Sequence, residues 1–441
     1  MNQHIHHVLA VAGATDPVPQ ESSTLIVAYD APGHPGSVED RTRDVLAAND
    51  LSPSTLALDF LRIATTAYVA DMRLSRHNAF DGWTRNIHLN VFVSDAPLWT
   101  ANADVLRRAL RFLTGDEWYV EFRQTPESYA PPASKKKVKR TVRASRVALL
   151  SGGLDSFIGA VDELQSGNIA FVAHHGGGGG ATSRSQEQVE QVLIDAYGKD
   201  AVPVLQFWFA PPVVATGATE TTTRGRSLLF IAYGLLTASA AGADRLLIPE
   251  NGMISLNVPL TPARLGSFST RTTHPHYIAL LRQLLGSVGI NVTLELPYRL
   301  KTKGEMLLQC AGQDVLVAGL PSTMSCSHPD SNRFRAKNPH AHCGRCVPCL
   351  IRRAATHAWG GQDNTTYVAQ DLKGTIDGDS GSDLRAARIA LARYEKRPPS
   401  IRDLLSAGPL PVDDDELDAC LDVLRRGVAE LQVFFRQHPE S

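Results

Sequence analysis

Cysteine is scarce in this chain, six in 441 residues. That is too few for a disulfide framework, and four of the six crowd between Cys326 and Cys349, a spacing that suits metal ligation better than cross-linking. Cys310 and Cys420 stand alone at apolar positions of expected helices and read as small buried hydrophobes. Neither sign of charge prevails. The formal net charge of −1 gives no global pull toward nucleic acid or an anionic surface, so only local basic patches remain to consider. Long apolar runs are missing too. The longest uncharged stretch, residues 227–243, is interrupted by Tyr233, Gly234, Thr237 and Ser239 and reads as a buried helix rather than a membrane span. The start, Met1 to His7, lacks the basic-then-apolar order of a secretory signal. These absences predict a globular cytoplasmic protein with no membrane partner. Its length and 43% hydrophobic content allow two or three domains with proper cores.

What is present centres on Ser151-Gly152-Gly153-Leu154-Asp155-Ser156. The hexapeptide follows an apolar run at 147–150 and precedes residues with helical spacing, so a strand, a glycine turn and a helix start are expected. Two glycines let the backbone approach a ligand closely, while Ser151, Asp155 and Ser156 place hydroxyls and a carboxylate beside unpaired helix N–H groups. The result is a seat for a pyrophosphate, and ATP is the expected ligand. No lysine follows the glycines and no Gly-x-Gly-x-x-Gly is present, which separates this loop from the common NTPase and dinucleotide loops. Beyond it, strands expected at 147–150, 169–173, 202–209, 246–248 and 292–296 alternate with helices at 157–164, 186–197, 227–240 and 276–285. This predicts an α/β domain over 146–360, a parallel sheet with helices on both faces and ligands at the C-terminal strand ends.

Residues 1–130 read as a separate α+β module, with a strand at 24–29, a helix at 58–72, and alternation through Ile87, Leu89, Val91 and Val93. A helix at 105–113 stops at Gly115, and Trp118, Val120 and Phe122 alternate again. Asp81, Trp83 and Arg85 fall on a loop that can face a ligand; the plainer reading is a turn anchoring the tryptophan in the core. Pro131, Pro132 and Ser134, then Lys135, Lys136, Lys137, Lys139 and Arg140, mark a basic linker over 131–145. Such a run is commonly just solvated, and its alternative, contact with phosphates, leaves a nucleic-acid partner open. From 361 to 441 sheet character disappears. Amphipathic patterns at 384–394 and 417–435, among Pro398, Pro399, Pro409 and Pro411, predict a helical C-terminal region.

Cys343, Cys346 and Cys349 are spaced Cys-x-x-Cys-x-x-Cys, and Cys326 lies seventeen residues before the first. Four soft ligands suit tetrahedral Zn²⁺ in a closed structural knot at 326–349, with iron–sulfur ligation as the rival. His328, His340 or His342 can replace one thiolate. His174 and His175 run into five glycines, 176–180, which no regular element accommodates. A lid beside the nucleotide or a plain surface loop is expected there.

In combination these motifs resemble the 7-cyano-7-deazaguanine synthase (QueC) family of PP-loop N-type ATP pyrophosphatases. Gly225-Arg226-Ser227 stands where that family has Gly-Arg-Asn at a helix start. Pro297 through Lys303, Glu305 and Met306 resembles its Pro-x-x-x-x-x-Lys-x-Glu-Ile segment. Ser325-Cys326 and Cys343-Gly344-Arg345-Cys346-Val347-Pro348-Cys349 match its Ser-Cys and Cys-Gly-x-Cys-x-x-Cys. The likeness spans 147–356 and implies a HUP-type PP-loop fold using ATP and Mg²⁺. It also implies a reaction in which a deazaguanine carboxylate attacks the α-phosphate, pyrophosphate leaves and an amine displaces AMP. By the same resemblance Ser151, Gly152, Gly153, Leu154, Asp155 and Ser156 hold the pyrophosphate and its Mg²⁺. Asp155, Ser156, Arg226 and Lys303 form the catalytic set, the two cations neutralising phosphate charge.

The departures from the family concern the other substrate. A Gly-Val-Asn at the strand end is replaced by Pro249-Glu250-Asn251, and the following loop carries Arg264, Ser267, Ser269, Thr270, Arg271, Thr272, Thr273 and His274. Glu250, Asn251 and Arg271 are the expected substrate contacts, a carboxylate and an amide being suited to a guanine-like edge. Asn251-Gly252 reads equally well as a turn. The added N-terminal module, long cysteine spacing and altered loop are similar to the enlarged QueC-like proteins of bacterial anti-phage systems, the QatC group among them. That likeness implies a protein partner of a defence operon whose amine accepts the acyl group. Nitrile synthesis with ammonia, base thiolation and a catalytically silent nucleotide-binding scaffold are the alternatives. Thiolation is disfavoured because the cysteines look committed to metal.

Overall fold

A computed structural model describes residues 5–11, 24–29, 34, 36–77, 79–125, 137–176, 180–212, 220, 222, 224–260, 271–328, 341–372, 381–410 and 414–438. The first part of the chain runs β1 (Ile5–Val11), β2 (Leu25–Ala28), a short β3 (Glu39–Asp40), α1 (Thr42–Ala48) and α2 (Thr55–Arg73). β4 (Asn86–Val93), α3 (Ala96–Ala101), α4 (Ala103–Thr114) and β5 (Glu117–Gln124) complete it. β2, β1, β4 and β5 form one sheet in that order, every neighbouring pair parallel. The expected strands and helices are therefore in place, with one refinement of the α+β reading. Parallel neighbours need a crossover, and α3 with α4 supplies it between β4 and β5, so helices and strands alternate instead of segregating. Gly115, at φ +77°, ends α4 in the left-handed region that glycine tolerates.

The second sheet is built from β6 (Arg146–Leu149), β7 (Ile169–Gly176), β8 (Val204–Ala210), β9 (Arg245–Leu247) and β10 (Thr293–Glu295). Helices α5 (Leu154–Leu164), α6 (Ala181–Tyr197), α7 (Arg224–Ala241), α8 (Gly252–Leu256) and α9 (Pro275–Val288) alternate with them, and α10 (Lys303–Gln309) and α11 (Gln313–Gly319) follow. Strand order is β10-β9-β6-β7-β8, parallel throughout, with β3 antiparallel on the edge. The first strand of this domain is thus central and its connections leave on opposite sides. The crevice beyond its C-terminal end is the switch point where such sheets bind ligands. The two-residue period of β6 explains why both faces are covered. Val147 and Leu149 pack toward α7 and α9, whereas Ala148 and Leu150 pack toward α5, α10 and α11.

One apolar core continues from Val8 and Phe60 in the N-terminal module through Leu229 and Tyr233 of α7 to Leu284 of α9. Helices α2 and α7 approach closely enough that a Cβ on Gly225 would lie 3.0 Å from the Tyr68 Cα. The basic segment is pinned rather than loose from Lys139 on. The Lys139 and Arg140 N–H groups donate to Ala48 O and that of Val142 to Asn49 O, placing positive charge at the C-terminus of α1. Residues 131–136 lie outside the described residues. The C-terminal helices Val347–Trp359, Ser382–Lys396, Ile401–Leu405 and Asp414–Arg436 close a third core around Leu350, Leu384, Val423 and Met253. Among the described residues no helix is long and apolar enough to cross a membrane.

Candidate active site

The glycine loop follows β6 at the switch point. Gly152 holds φ at +83°, and Gly153 is the N-cap of α5 with no side chain to occupy the helix N–H groups. The start of α5 therefore presents unpaired donors to the crevice, the condition an anion needs. Ser151 Oγ and Ser156 Oγ lie 3.0 Å apart, and Ser156 Oγ donates to Gly153 O at 2.9 Å. Leu154 is fully buried, so only its backbone faces the loop. The turn is fixed from two sides that its sequence does not announce. Ser185 Oγ, in the first turns of α6, donates to Gly152 O at 2.8 Å, and Gln186 Nε2 donates to Ser151 O and His174 O. Met324 N–H donates to the same Gly152 carbonyl at 2.8 Å.

Asp155, in the first turn of α5, joins two other expected site residues. Its Oδ1 lies 2.9 Å from Lys303 Nζ, and its Oδ2 accepts from the backbone N–H and from Nδ2 of Asn251, at 3.1 and 2.7 Å. Lys303 is 5% exposed and opens α10 behind Thr302, whose hydroxyl forms a capping box with Glu305. Asn251 is fully buried and also caps α8 by accepting from Ile254 N–H. Asn251 thus caps a helix and grips Asp155, an arrangement that neither the base-edge nor the turn reading of Asn251-Gly252 anticipates, and the amide's oxygen and one of its N–H groups are taken by the protein.

Glu250 accepts from Thr273 Oγ1 at 2.5 Å, which in turn meets Ser255 Oγ at 2.9 Å. The side chain keeps some contact with solvent at the crevice rim but is enclosed by protein mass. Burial pushes its carboxyl up to about 7 against the Thr273 hydrogen bond, and the nearby Asp155 charge adds to the rise. Arg271 sits further out. Its guanidinium covers the Phe112 ring at 4.5 Å and donates to Phe112 O, and burial lowers its pKa to about 10. Residues 261–270, and with them Arg264, Ser267, Ser269 and Thr270, lie outside the described residues.

Arg226 projects from the first turn of α7, and its Nη2 reaches His174 O at 3.4 Å, at the C-terminal end of β7. The His174 ring stacks on Tyr233 at 5.2 Å; burial, then the Arg226 charge, hold it well below the usual histidine pKa, so it is neutral. The segment 176–180, expected as a lid or a plain surface loop, is described only at Gly176, which ends β7, and at Gly180, which precedes α6. Residues 177–179 lie outside the described set. Trp83 is not a core anchor. It is half-buried between the guanidinium groups of Arg76 and Arg224, each 4.8 Å from its ring, while Arg85 is the fully buried member, paired with Asp71 and Asp116.

The sulfurs of Cys326, Cys343, Cys346 and Cys349 all lie within 4.8 Å of one another. Sulfur separations of 3.8 Å for Cys343–Cys349 and 3.9 Å for Cys346–Cys326 match the edge, ~3.8 Å, of a tetrahedron with zinc–sulfur bonds of ~2.3 Å. An iron–sulfur cluster would hold its cysteines farther apart, so the quartet fits a single ion. Backbone N–H groups of Ser327, His328, Cys343 and Cys346 point at these sulfurs, as thiolates require. Gly344, at φ +82°, makes the turn between two ligands, where a Cβ would lie 2.6 Å from Ala369 O. His342 is not a ligand. Its Nε2 accepts from Ser325 N–H at 3.0 Å and burial lowers its pKa to about 2. The His328 side chain is exposed, and His340 lies outside the described residues. Cys310 and Cys420 are buried, and desolvation pushes the Cys310 thiol up to about 12, away from the thiolate form that sulfur transfer needs.

No protein-family model matches the chain. It is 27% identical over 239 residues to the 7-cyano-7-deazaguanine synthase of Synechococcus sp. (strain RCC307), an alignment covering 50% of this chain and 97% of that protein. Half of this chain is therefore extra to the relative.

Proposed function

We propose that this chain, half of which is 7-cyano-7-deazaguanine synthase (QueC)-like, is an ATP-dependent C–N bond-forming enzyme that adenylates a deazaguanine carboxylate. An amine, probed first as the amine of a partner protein in anti-phage defence, then takes the acyl group. The observation that carries this reading is the meeting of the Asp155–Lys303 pair with the uncapped start of α5 at the switch point of the sheet.

A carboxylate oxygen of the acid attacks the α-phosphorus of ATP, and the bond to the oxygen bridging toward the β-phosphorus breaks. Pyrophosphate leaves into the loop, where the N–H groups opening α5 and the hydroxyls of Ser151 and Ser156 receive it. Asp155 and Ser156 are the residues that would hold its Mg²⁺, an ion that neutralises phosphate charge. Lys303, aimed by Asp155, and Arg226 offset the charge that develops on the phosphates. The amine nitrogen then attacks the acyl carbon, the C–O bond to AMP breaks, and the amine loses its proton to solvent. Glu250 and Thr273 line the side of the crevice from which acid or amine approaches.

A second reading, nitrile formation with ammonia as acceptor, is favoured by the near-complete coverage of the Synechococcus synthase. One experiment separates the readings. The chain is incubated with ATP, Mg²⁺ and a 7-deazaguanine carboxylate, with either ammonium or the protein encoded beside it, and pyrophosphate and acceptor mass are measured. Pyrophosphate with a mass gain on the protein supports transfer. Pyrophosphate with nitrile supports the second reading. No pyrophosphate with any deazaguanine acid rejects both and leaves a silent nucleotide-binding scaffold.

A further inference from the structure

The carboxylate at the start of α7 comes from another module. Asp71 lies on α2 and is fully buried. Its Oδ2 accepts from Gly225 N–H and from Thr222 Oγ1, both at 3.1 Å. The other oxygen is held at 2.8 Å by Arg85 Nη2, and Arg85 in turn grips Asp116 through Nε at 3.0 Å and Nη2 at 2.6 Å. Arg85 precedes β4 and Asp116 precedes β5, so this buried ion-pair network ties α7 to the edge of the N-terminal sheet. Gly225 has no room for a side chain against Tyr68, one turn before Asp71 on α2. The residue that follows Gly225 is Arg226, whose guanidinium spans from this first turn to the His174 carbonyl beside the glycine loop.

From this arrangement we infer that Asp71 is a positioning residue of the nucleotide site: the N-terminal module sets where Arg226 stands. The inference rests on the reading of Arg226 as a phosphate ligand. Asp71 touches no substrate and acts through the helix start it caps, where a carboxylate complements the unpaired N–H groups and fixes their direction. The N-terminal module is, on this view, part of the ATP site.

The test is a double-mutant cycle on MgATP affinity of the full chain by titration calorimetry, with thermal unfolding run in parallel. Asp71→Asn weakens MgATP by ~10-fold, and the loss disappears when Arg226 is already alanine, as coupled neighbours require. Thr222→Val removes one hydrogen bond to Asp71, together with the acceptor of the Arg224 N–H beside it, without touching the Arg85 pair. It shows a smaller loss with the same dependence on Arg226, and it decides the matter if Asp71→Asn does not fold. A simple loss of stability would add to the Arg226→Ala effect rather than vanish within it. Affinity unchanged in both variants, or losses that add to that of Arg226→Ala, overturns the positioning role while leaving the ATP reading intact. Failure of the unaltered chain to bind MgATP overturns the ATP reading and this inference with it.

Discussion

Met324 N–H donates to Gly152 O at 2.8 Å, two residues before the first cysteine of the metal knot. Ser185 Oγ donates to the same carbonyl and to Ser322 O at 2.7 Å, so the glycine turn and the segment leading into the knot are held by one hydroxyl. The cysteine knot is thus tethered to the glycine loop, the proposed seat of pyrophosphate. Since the four sulfurs are spaced to hold one ion, a metal bound there would stabilise this whole strap.

Loss of the metal accordingly weakens the fold and the ATP site together. Cys346→Ser releases the zinc and destabilises the chain by on the order of 4 kcal/mol, the scale of losing a structural metal. MgATP affinity falls as well, even at temperatures where the variant remains folded. Metal analysis, circular dichroism melts and calorimetry check this. Unaltered MgATP affinity in a zinc-free, folded variant would show the tether to be inert.

Asp155→Asn separates charge from shape at the loop. The amide can still meet Asn251, but Lys303, 5% exposed, loses its counter-charge. Removing one partner of a buried pair costs ~3 kcal/mol or more unless the other neutralises. Pyrophosphate release is expected to fall by at least ~100-fold, as when a charge-stabilising group is removed. Retention of more than a tenth of the activity would mean that Asp155 does not aim Lys303 at the phosphates.

Local features made this much legible in advance. The alternation of Val147 to Leu150, the Ser-Gly-Gly-Leu-Asp-Ser turn and the cysteine spacing each encode structure within a few residues, and each stands where expected. The contacts that hold the helix starts carrying Arg226 and Lys303 span the chain instead. Asp71 meets Gly225 across 154 positions and Thr302 meets Glu430 across 128. Such pairs leave no periodicity to read. Asn251 is ambiguous in the sequence for the same reason, because a turn and a base-reading amide look alike until Asp155 is placed beside it. Strand β1 is not legible in the sequence because His6 and His7 dilute its apolar pattern, although Val8 to Val11 are buried.

Glu250 gives the site a pH dependence of defined sign. Its folded pKa of about 7 lies above the ordinary carboxylate value of 4.5, so the fold favours the protonated form. Its contribution to stability is greatest below pH 4.5, falls as pH rises from there through 7, and stays at its minimum above. Glu250→Gln, a permanent mimic of the protonated acid, should therefore stabilise the chain at pH 8.5 relative to the unaltered protein, by ~1–2 kcal/mol after allowing for solvent contact. The gain should shrink at pH 5.5. Melting curves at the two pH values that shift in parallel would contradict a raised pKa.

The C-terminal helix Asp414–Arg436 braces Lys303 from the other side, and a reversal of sign tests it. Glu430 Oε1 accepts from Thr302 Oγ1, the cap of α10, and a Cβ added at Gly304 would lie 2.6 Å from that same oxygen. Arg426 pairs with Glu305 and donates to Leu300 O at 3.0 Å, completing the contact. In the unaltered chain Gly304→Ala must displace Glu430, and loss of a buried hydrogen bond to a charged group costs ~2 kcal/mol. With Glu430→Ala in place the obstruction is gone, and the same substitution gains a part of the ~1 kcal/mol by which alanine exceeds glycine in a helix interior, since Gly304 lies in the first turn. Gly304→Ala should thus destabilise on its own and stabilise in the Glu430→Ala background. If its effect has the same sign in both, Glu430 does not press on α10, and the C-terminal helix does not set the position of Lys303.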